Sequence, residues 1–279
     1  MSADSSRQLL SQLEAYYDAV PRSAARVEQI GPFTLFINPG PGWQYYARPS
    51  LGARVFTTAA VRRVRARQRE LGIPETFEWV AETTLALTVA AEAAGLAVTQ
   101  HPLMVLRQHP APPGCRRPPA DGVEVRLATG QDDLALLNAL ARVAFAAPGT
   151  AVGSAGLADA QAVVERDPGA LAFQQQRLGA GTTVLAVGLV AGQPVGIGSH
   201  QPVGSVTEVV GVAVLPAFRR RGIAVALTRW LVDDALERGV QTVFLSASDA
   251  TIGRVYERVG FRRIGSACTA EPVPPSAAG

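Results

Sequence analysis

One stretch, Glu208 to Ala224, constrains this 279-residue chain more than any other, and it reads E-V-V-G-V-A-V-L-P-A-F-R-R-R-G-I-A. Val209 to Leu215 has the β-branched composition of a strand, and Pro216 cannot continue a hydrogen-bond ladder. Ile223 to Leu236 then carries apolar residues at helical spacing. The segment predicts strand, loop and helix, with Arg219, Arg220, Arg221 and Gly222 in the loop. The N–H groups of a first helical turn have no intrahelical acceptor and lie at the positive end of the helix dipole, so they attract phosphate oxygens. Gly222 lets a ligand approach the backbone closely, and three guanidinium groups supply fixed charge suited to a pyrophosphate. A nucleotide-like ligand is the expectation. The loop is neither the dinucleotide fingerprint G-x-G-x-x-G nor the P-loop G-x-x-x-x-G-K-[ST].

The surrounding elements follow from the same signals. Val123 to Leu127 reads as a strand, about Gln131 to Ala146 as a helix with Asp132 and Asp133 in its first turn, and Leu157 to Arg177 as a second helical stretch. Thr182 to Leu215 gives three strands, with turns at Ala191-Gly192-Gln193-Pro194 and between Pro202 and Ser205. Gln241 to Ala247 is a short buried strand. Asp249 to Val259 places Ile252, Val255, Tyr256 and Val259 on one helix face, ended by Gly260. The order is β-α-α-β-β-β-α-β-α-β.

Two motifs on this plan resemble one family. Arg219-x-x-Gly222-x-Ala224 resembles the [RQ]-x-x-G-x-[GA] pyrophosphate loop of the GNAT superfamily of N-acetyltransferases. The phrase D-x-x-I-x-x-V-Y-E-R-V-G-F from Asp249 is similar to that family's N-x-x-A-x-x-L-Y-x-x-x-G-F, departing at Asp249 and Ile252. Asp249 still offers a capping oxygen, although a carboxylate suits nearby phosphates less well than an amide. The resemblance implies an α/β (α+β) fold with a mixed, mostly antiparallel central sheet flanked by helices. It also implies acetyl-CoA as acyl donor and no metal. Val212, Ala213, Val214, Arg219, Arg220, Arg221, Gly222, Ile223, Ala224 and Asp249 would hold the cofactor.

Acetyl transfer to an amine needs a neutral nucleophile, a donor for the carbonyl oxyanion and a proton for the departing thiolate. Glu208 stands where glutamate-dependent members carry their general base, and Tyr256 occupies the tyrosine position whose phenol protonates the thiolate. A strand-end carboxylate and a core aromatic are the plain alternatives for these two residues. Gly211 inside a strand marks a bulge, where the family's fourth and fifth strands splay apart. His200, after the third strand, is a lesser candidate for substrate binding. The expected acceptor is a small-molecule amine or a protein amino group. The other reading is a non-catalytic acyl-CoA-binding sensor or interaction protein.

The amino-terminal half contains an internal repeat. Thr76 to Thr99 lies on Gln241 to Ile264 without gaps, so that Glu92 meets Glu257 and Gly95 meets Gly260. Arg62 to Gly72 then corresponds to the helix after the anion loop, and Phe33 to Pro49 to two preceding strands. Leu51 to Ala60 lacks the loop motif, and Ala91 stands where Tyr256 stands. The expected organisation is two tandem halves: a degenerate GNAT-like domain over 1–108 that binds no cofactor, a Pro-rich linker over 109–122, and an acetyltransferase domain over 123–279. Trp43, Tyr45 and Tyr46 are candidates for a pocket wall.

Charge adds little. The net +3 comes from 26 basic residues, every one an arginine, and the cluster Arg62, Arg63, Arg65, Arg67, Arg69 lacks interleaved aromatics, which argues for a solvated face over nucleic acid. Cys115 and Cys268 have no metal or disulfide spacing, and no apolar run reaches membrane-spanning length. The expectation is a cytoplasmic monomer or homodimer with no membrane partner.

Overall fold

The computed structural model describes residues 3–40, 44–107 and 122–273. The amino-terminal elements are α1 (Ala3–Arg22), β1 (Arg26–Ile30), β2 (Phe33–Ile37), β3 (Arg48–Pro49), α2 (Thr58–Glu70), β4 (Phe77–Val80), α3 (Leu85–Ala93) and β5 (Leu96–Leu106). After them come β6 (Val123–Leu127), α4 (Leu134–Ala146), α5 (Leu157–Ala162), α6 (Pro168–Gly179), β7 (Val184–Val190), β8 (Gln193–Val203), β9 (Val206–Val214), α7 (Ile223–Glu237), β10 (Thr242–Ser246), α8 (Ala250–Glu257) and β11 (Phe261–Pro272). The chain forms two compact units: Met1–Leu103 with Ile264–Gly279, and Met104–Arg263.

Unit 1 has an antiparallel sheet β1-β2-β3, and a second set in which β11 lies between β4 and β5. Ala267 faces Val80 and Ala270 faces Phe77 across the antiparallel β11/β4 pair. Its core gathers Phe33, Leu35, Val61, Val64, Phe77, Trp79 and Leu87, together with Cys268 and Ala270 from the far end of the sequence. The expected domain boundary within 109–122 lies almost wholly outside the described residues. The division also differs from the expected 123–279 domain, because residues from Ile264 onward complete the sheet and core of unit 1.

Unit 2 is a mixed sheet in the order β10-β9-β8-β7-β6, antiparallel from β6 to β9 and parallel between β9 and β10. Helix α7 packs on one face through Ile223, Leu227 and Leu231, while Leu137 and Leu140 of α4 join Leu185, Val187 and Leu189 on the other. Strands buried on both faces explain the near-continuous apolar runs. The expected helix over 157–177 is two helices, because Pro168 opens α6 with Asp167 capping the N–H groups of Gly169 and Ala170. Asp132 and Asp133 precede α4 rather than lying in it. Asp133 caps Leu136, while Asp132 pairs with Arg126 at 2.6 Å.

Glycines set the seat of α7. A Cβ on Gly196 would lie 3.0 Å from the Ala213 carbonyl oxygen and 3.2 Å from both Ile223 and Leu227, and one on Gly198 would lie 3.1 Å from Leu231. The helix rests almost directly on backbone. Gly196→Ala is expected to cost about 1–3 kcal/mol by overpacking, read as a lower urea midpoint with an unchanged slope.

The repeat is visible in the elements themselves. Shifting Thr76 onto Gln241 is an offset of 165, and the same offset carries the first residues of α2, β4, α3 and β5 (58, 77, 85, 96) onto those of α7, β10, α8 and β11 (223, 242, 250, 261). Helix α1 and strand β1 had no reading in the sequence. The basic face of α2 is largely spent within unit 1: Arg67 pairs with Glu28, Arg65 and Arg69 pair with Glu75, and Arg62 donates to the Ala93 carbonyl.

Candidate active site

The loop after β9 folds as a short 3-10 turn over Pro216–Phe218, then Arg219 to Gly222, then α7. Arg220 has φ of 63° and Gly222 has φ of 76°. A left-handed arginine stores roughly 1–3 kcal/mol of strain that the surrounding structure must hold, a condition concentrated at functional loops. Gly222 sits at the N-cap without a side chain, and the first backbone bond runs from Ala226 N–H to the Gly222 carbonyl at 3.0 Å. The N–H groups of Ile223, Ala224 and Val225 therefore have no acceptor among the described residues, and the first turn contains no acid. Arg220 and Arg221 are exposed beside it, with the Arg221 guanidinium 5.2 Å from the Phe218 ring centre.

The same offset supplies an internal comparison. Arg54, Val55, Phe56 and Thr57 of unit 1 stand at the positions of Arg219, Arg220, Arg221 and Gly222. Thr57 has φ of −117°, and its hydroxyl accepts a hydrogen bond from the Ala60 N–H at 3.2 Å. Unit 1 thus uses its own Thr57 hydroxyl to satisfy a first-turn N–H that would otherwise be open to a ligand, and it replaces two arginines by apolar residues.

Gly211 forms the expected bulge. Its φ is 65°, and the β8/β9 register passes from Ile197↔Ala213 to Ser199↔Val210, giving β9 one extra residue. On the other side β9 pairs with β10 only through Val206, Thr207 and Glu208, the last opposite Phe244. From Val209 to Val214, β9 has no partner strand on that side among the described residues. Val212, Ala213 and Val214 lie along this opening, and Glu208 occupies the last paired rung at its mouth.

Tyr256 is on α8, which follows β10. It packs against the unit 2 core and meets Phe261 edge-on, with ring centres 6.2 Å apart. Burial pushes its phenol up to about 12, and the hydroxyl makes no hydrogen bond to any other described residue. Asp249 is the N-cap of α8, its Oδ1 accepting from Thr251 N–H at 2.7 Å and Ile252 N–H at 2.9 Å. That carboxylate serves the helix, as the sequence suggested.

Two residues differ from expectation. Arg219 does not present its guanidinium to the open helix turn. Its Nε donates to the Val214 carbonyl at 3.2 Å, its Nη1 to Ala151 at 3.3 Å, and its Nη2 to Ala144 and Ala147 at 2.7 Å each. His200 lies within β8, fully buried, rather than beyond its end at an entrance. Its Nε2 is 2.9 Å from Asp234 and its Nδ1 is 3.0 Å from Thr207 Oγ1, while Arg238 donates to Asp234 at 2.5 Å. Burial opposes ionisation of Asp234, but hydrogen bonds from His200 and Arg238 outweigh it and hold the carboxyl below its usual range. This network joins α7 to the sheet. A lone histidine in a strand carries no sequence signal for such a partner 34 residues away. Trp43 lies outside the described residues, as does Cys115, and Cys268 is buried in unit 1.

These features define an open helix turn, flanked by Arg220 and Arg221, beside a splayed strand pair. Residues 157–261 match the Acetyltransferase (GNAT) family, a stretch that lies within unit 2. A "GCN5-related N-acetyltransferase from Kribbella flavida" has 18% identity and a TM-score of 0.69, covering 96% of this chain and 97% of its own. The "GCN5-related N-Acetyltransferase from Sphaerobacter thermophilus" has 20% identity and a TM-score of 0.58, over 87% of this chain and 81% of its own. A functionally unknown conserved protein from Staphylococcus epidermidis has 14% identity and a TM-score of 0.53, over 89% and 95%. At these identities the likeness is one of fold. No curated protein matches the sequence. Among the described residues no helix is long and apolar enough to cross a membrane, and no cluster of three or more metal-ligating side chains occurs.

Proposed function

We propose that the protein is an acetyl-CoA-dependent N-acetyltransferase that moves an acetyl group directly to a primary amine, with one cofactor site per chain. The observation that carries this reading is the open first turn of α7: three N–H groups without acceptors, no first-turn acid, and Arg220 and Arg221 alongside. These groups fit a pyrophosphate, held through Gly222, Ile223 and Ala224. The unpaired side of Val212–Val214 offers backbone donors and acceptors to an extended amide-bearing arm.

Acetyl-CoA, when bound, supplies the acyl thioester. Glu208, at the mouth of the splay, takes a proton from the ammonium form of the acceptor, directly or through water. The amine nitrogen adds to the thioester carbonyl carbon, and a backbone N–H of the splayed strand steadies the resulting oxyanion. As the adduct collapses the carbon–sulfur bond breaks and the nitrogen loses its second proton to solvent, from which the tyrosine is reprotonated. Tyr256 gives its proton to the leaving sulfur. At neutral pH it is in the acid form, because burial raises its pKa. The acceptor is a small amine or a protein amino group.

Calorimetric titration with acetyl-CoA tests both the function and the role of unit 1. The expected stoichiometry is one per chain, followed by CoA release when accepted amines from a panel are added. Two sites would overturn the self-capped reading of Thr57. Binding without turnover on any primary amine would favour a sensor.

A further inference from the structure

The segment between α4 and α5, residues 147–156, has no regular secondary structure and contains no fully buried residue. Val152 on it is 61% exposed. Such a stretch, with little apolar burial of its own, belongs to the low-stability end of a fold, so its order depends on its anchors. Those anchors converge on the loop after β9. Gly153 N–H donates to the Pro216 carbonyl at 3.2 Å, and Ala217 N–H donates to the Ala155 carbonyl at 3.0 Å. Arg219 supplies the rest: one guanidinium binds the carbonyls of Ala144 and Ala147 at the end of α4, Ala151 within the segment, and Val214 at the end of β9. Burial lowers the pKa of this guanidinium, whose donors go to carbonyls and to no carboxylate among the described residues.

We infer that Arg219 is a positioning residue that ties the 147–156 segment to the cofactor loop, so that filling the loop orders the segment. The two parts share one rigid fork. Arg219 is followed directly by Arg220, in the left-handed region, and by the open helix turn. A pyrophosphate that fixes the backbone of residues 220–224 fixes the Arg219 backbone beside it. The guanidinium then holds four carbonyls in place at reduced entropic cost. Coupling of this kind is a shared free energy, and the segment's order in turn strengthens cofactor binding. The inference rests on the proposed reading of the loop as the acetyl-CoA site.

Amide hydrogen exchange on the full chain, with and without acetyl-CoA, separates the possibilities. The expected result in the wild type is slower exchange at residues 220–226 and also at 147–156. In Arg219→Gln the protection at 220–226 persists and that at 147–156 is lost; Arg219→Lys, which can reach only some of the carbonyls, recovers part of it. Protection of 220–226 alone in the wild type overturns the coupling while leaving the cofactor site intact. Equal protection of 147–156 in wild type and Arg219→Gln overturns the role of Arg219. No protection anywhere removes the cofactor reading and this inference with it. If Arg219→Gln fails to fold, the wild-type pattern and Arg219→Lys still decide. A loss of acetyl-CoA affinity in Arg219→Gln matching that of Arg220→Gln would assign Arg219 to phosphate binding instead.

Discussion

Replacing Tyr256 by phenylalanine is expected to lower kcat by about 10²- to 10⁴-fold where protonation of the leaving thiolate limits turnover. Acetyl-CoA binding is expected to survive. The substitution removes one oxygen and keeps the ring that meets Phe261 and the core of unit 2, so the fold and the loop after β9 are expected to stay in place. Because burial pushes the phenol up to about 12, Tyr256 keeps its proton through the range in which an acceptor amine becomes neutral. The alkaline side of a kcat profile therefore reports other groups. The check is CoA release with an accepted amine, alongside a binding isotherm for acetyl-CoA. Undiminished turnover in the variant would reduce Tyr256 to a packing residue.

The second large effect concerns Gly222. At about 100 times its dissociation constant, a ligand specific for the native state adds roughly 2.7 kcal/mol, or a rise of about 5–10 °C for a domain the size of unit 2. In Gly222→Glu that rise is expected to vanish. The new carboxylate falls on the N–H groups of Ile223, Ala224 and Val225, satisfies them, and repels phosphate. A left-handed φ of 76° also disfavours any side chain, by roughly 1–2 kcal/mol. Gly222→Thr is the subtler partner, since it copies the Thr57 cap of unit 1. Its melting temperature without ligand separates backbone strain from lost binding. A full acetyl-CoA shift in both variants would place the cofactor elsewhere.

Much of the site was legible because its physics is local. A Pro, a left-handed Gly and a β-branched run with a central Gly each act within a few residues, and the loop, the bulge at Gly211 and the Asp249 cap follow from them. The repeat was legible because the offset of 165 needs no gap across β4, α3 and β5. What the sequence did not disclose depends on distant partners. Arg219 looks like its neighbours until the carbonyls of Ala144, Ala147 and Ala151 are seen around it, about 70 positions earlier. His200 acquires its role from Asp234, on a helix that periodicity alone cannot dock. The affiliation of β11 was equally hidden, because a strand's composition says that it pairs and not with which strand.

That last strand has a bearing on how the chain is made. Synthesis delivers unit 1 first, yet its sheet lacks the member between β4 and β5 until residues 264–272 appear. Until then β4 presents an unpaired edge, and the places of Cys268 and Ala270 in the core stand empty. The nascent amino-terminal half therefore waits for residues 264–272 before its sheet and core can close. A gene cut in the proline-rich stretch would yield a first piece short of a strand and a second carrying that strand with nowhere to put it.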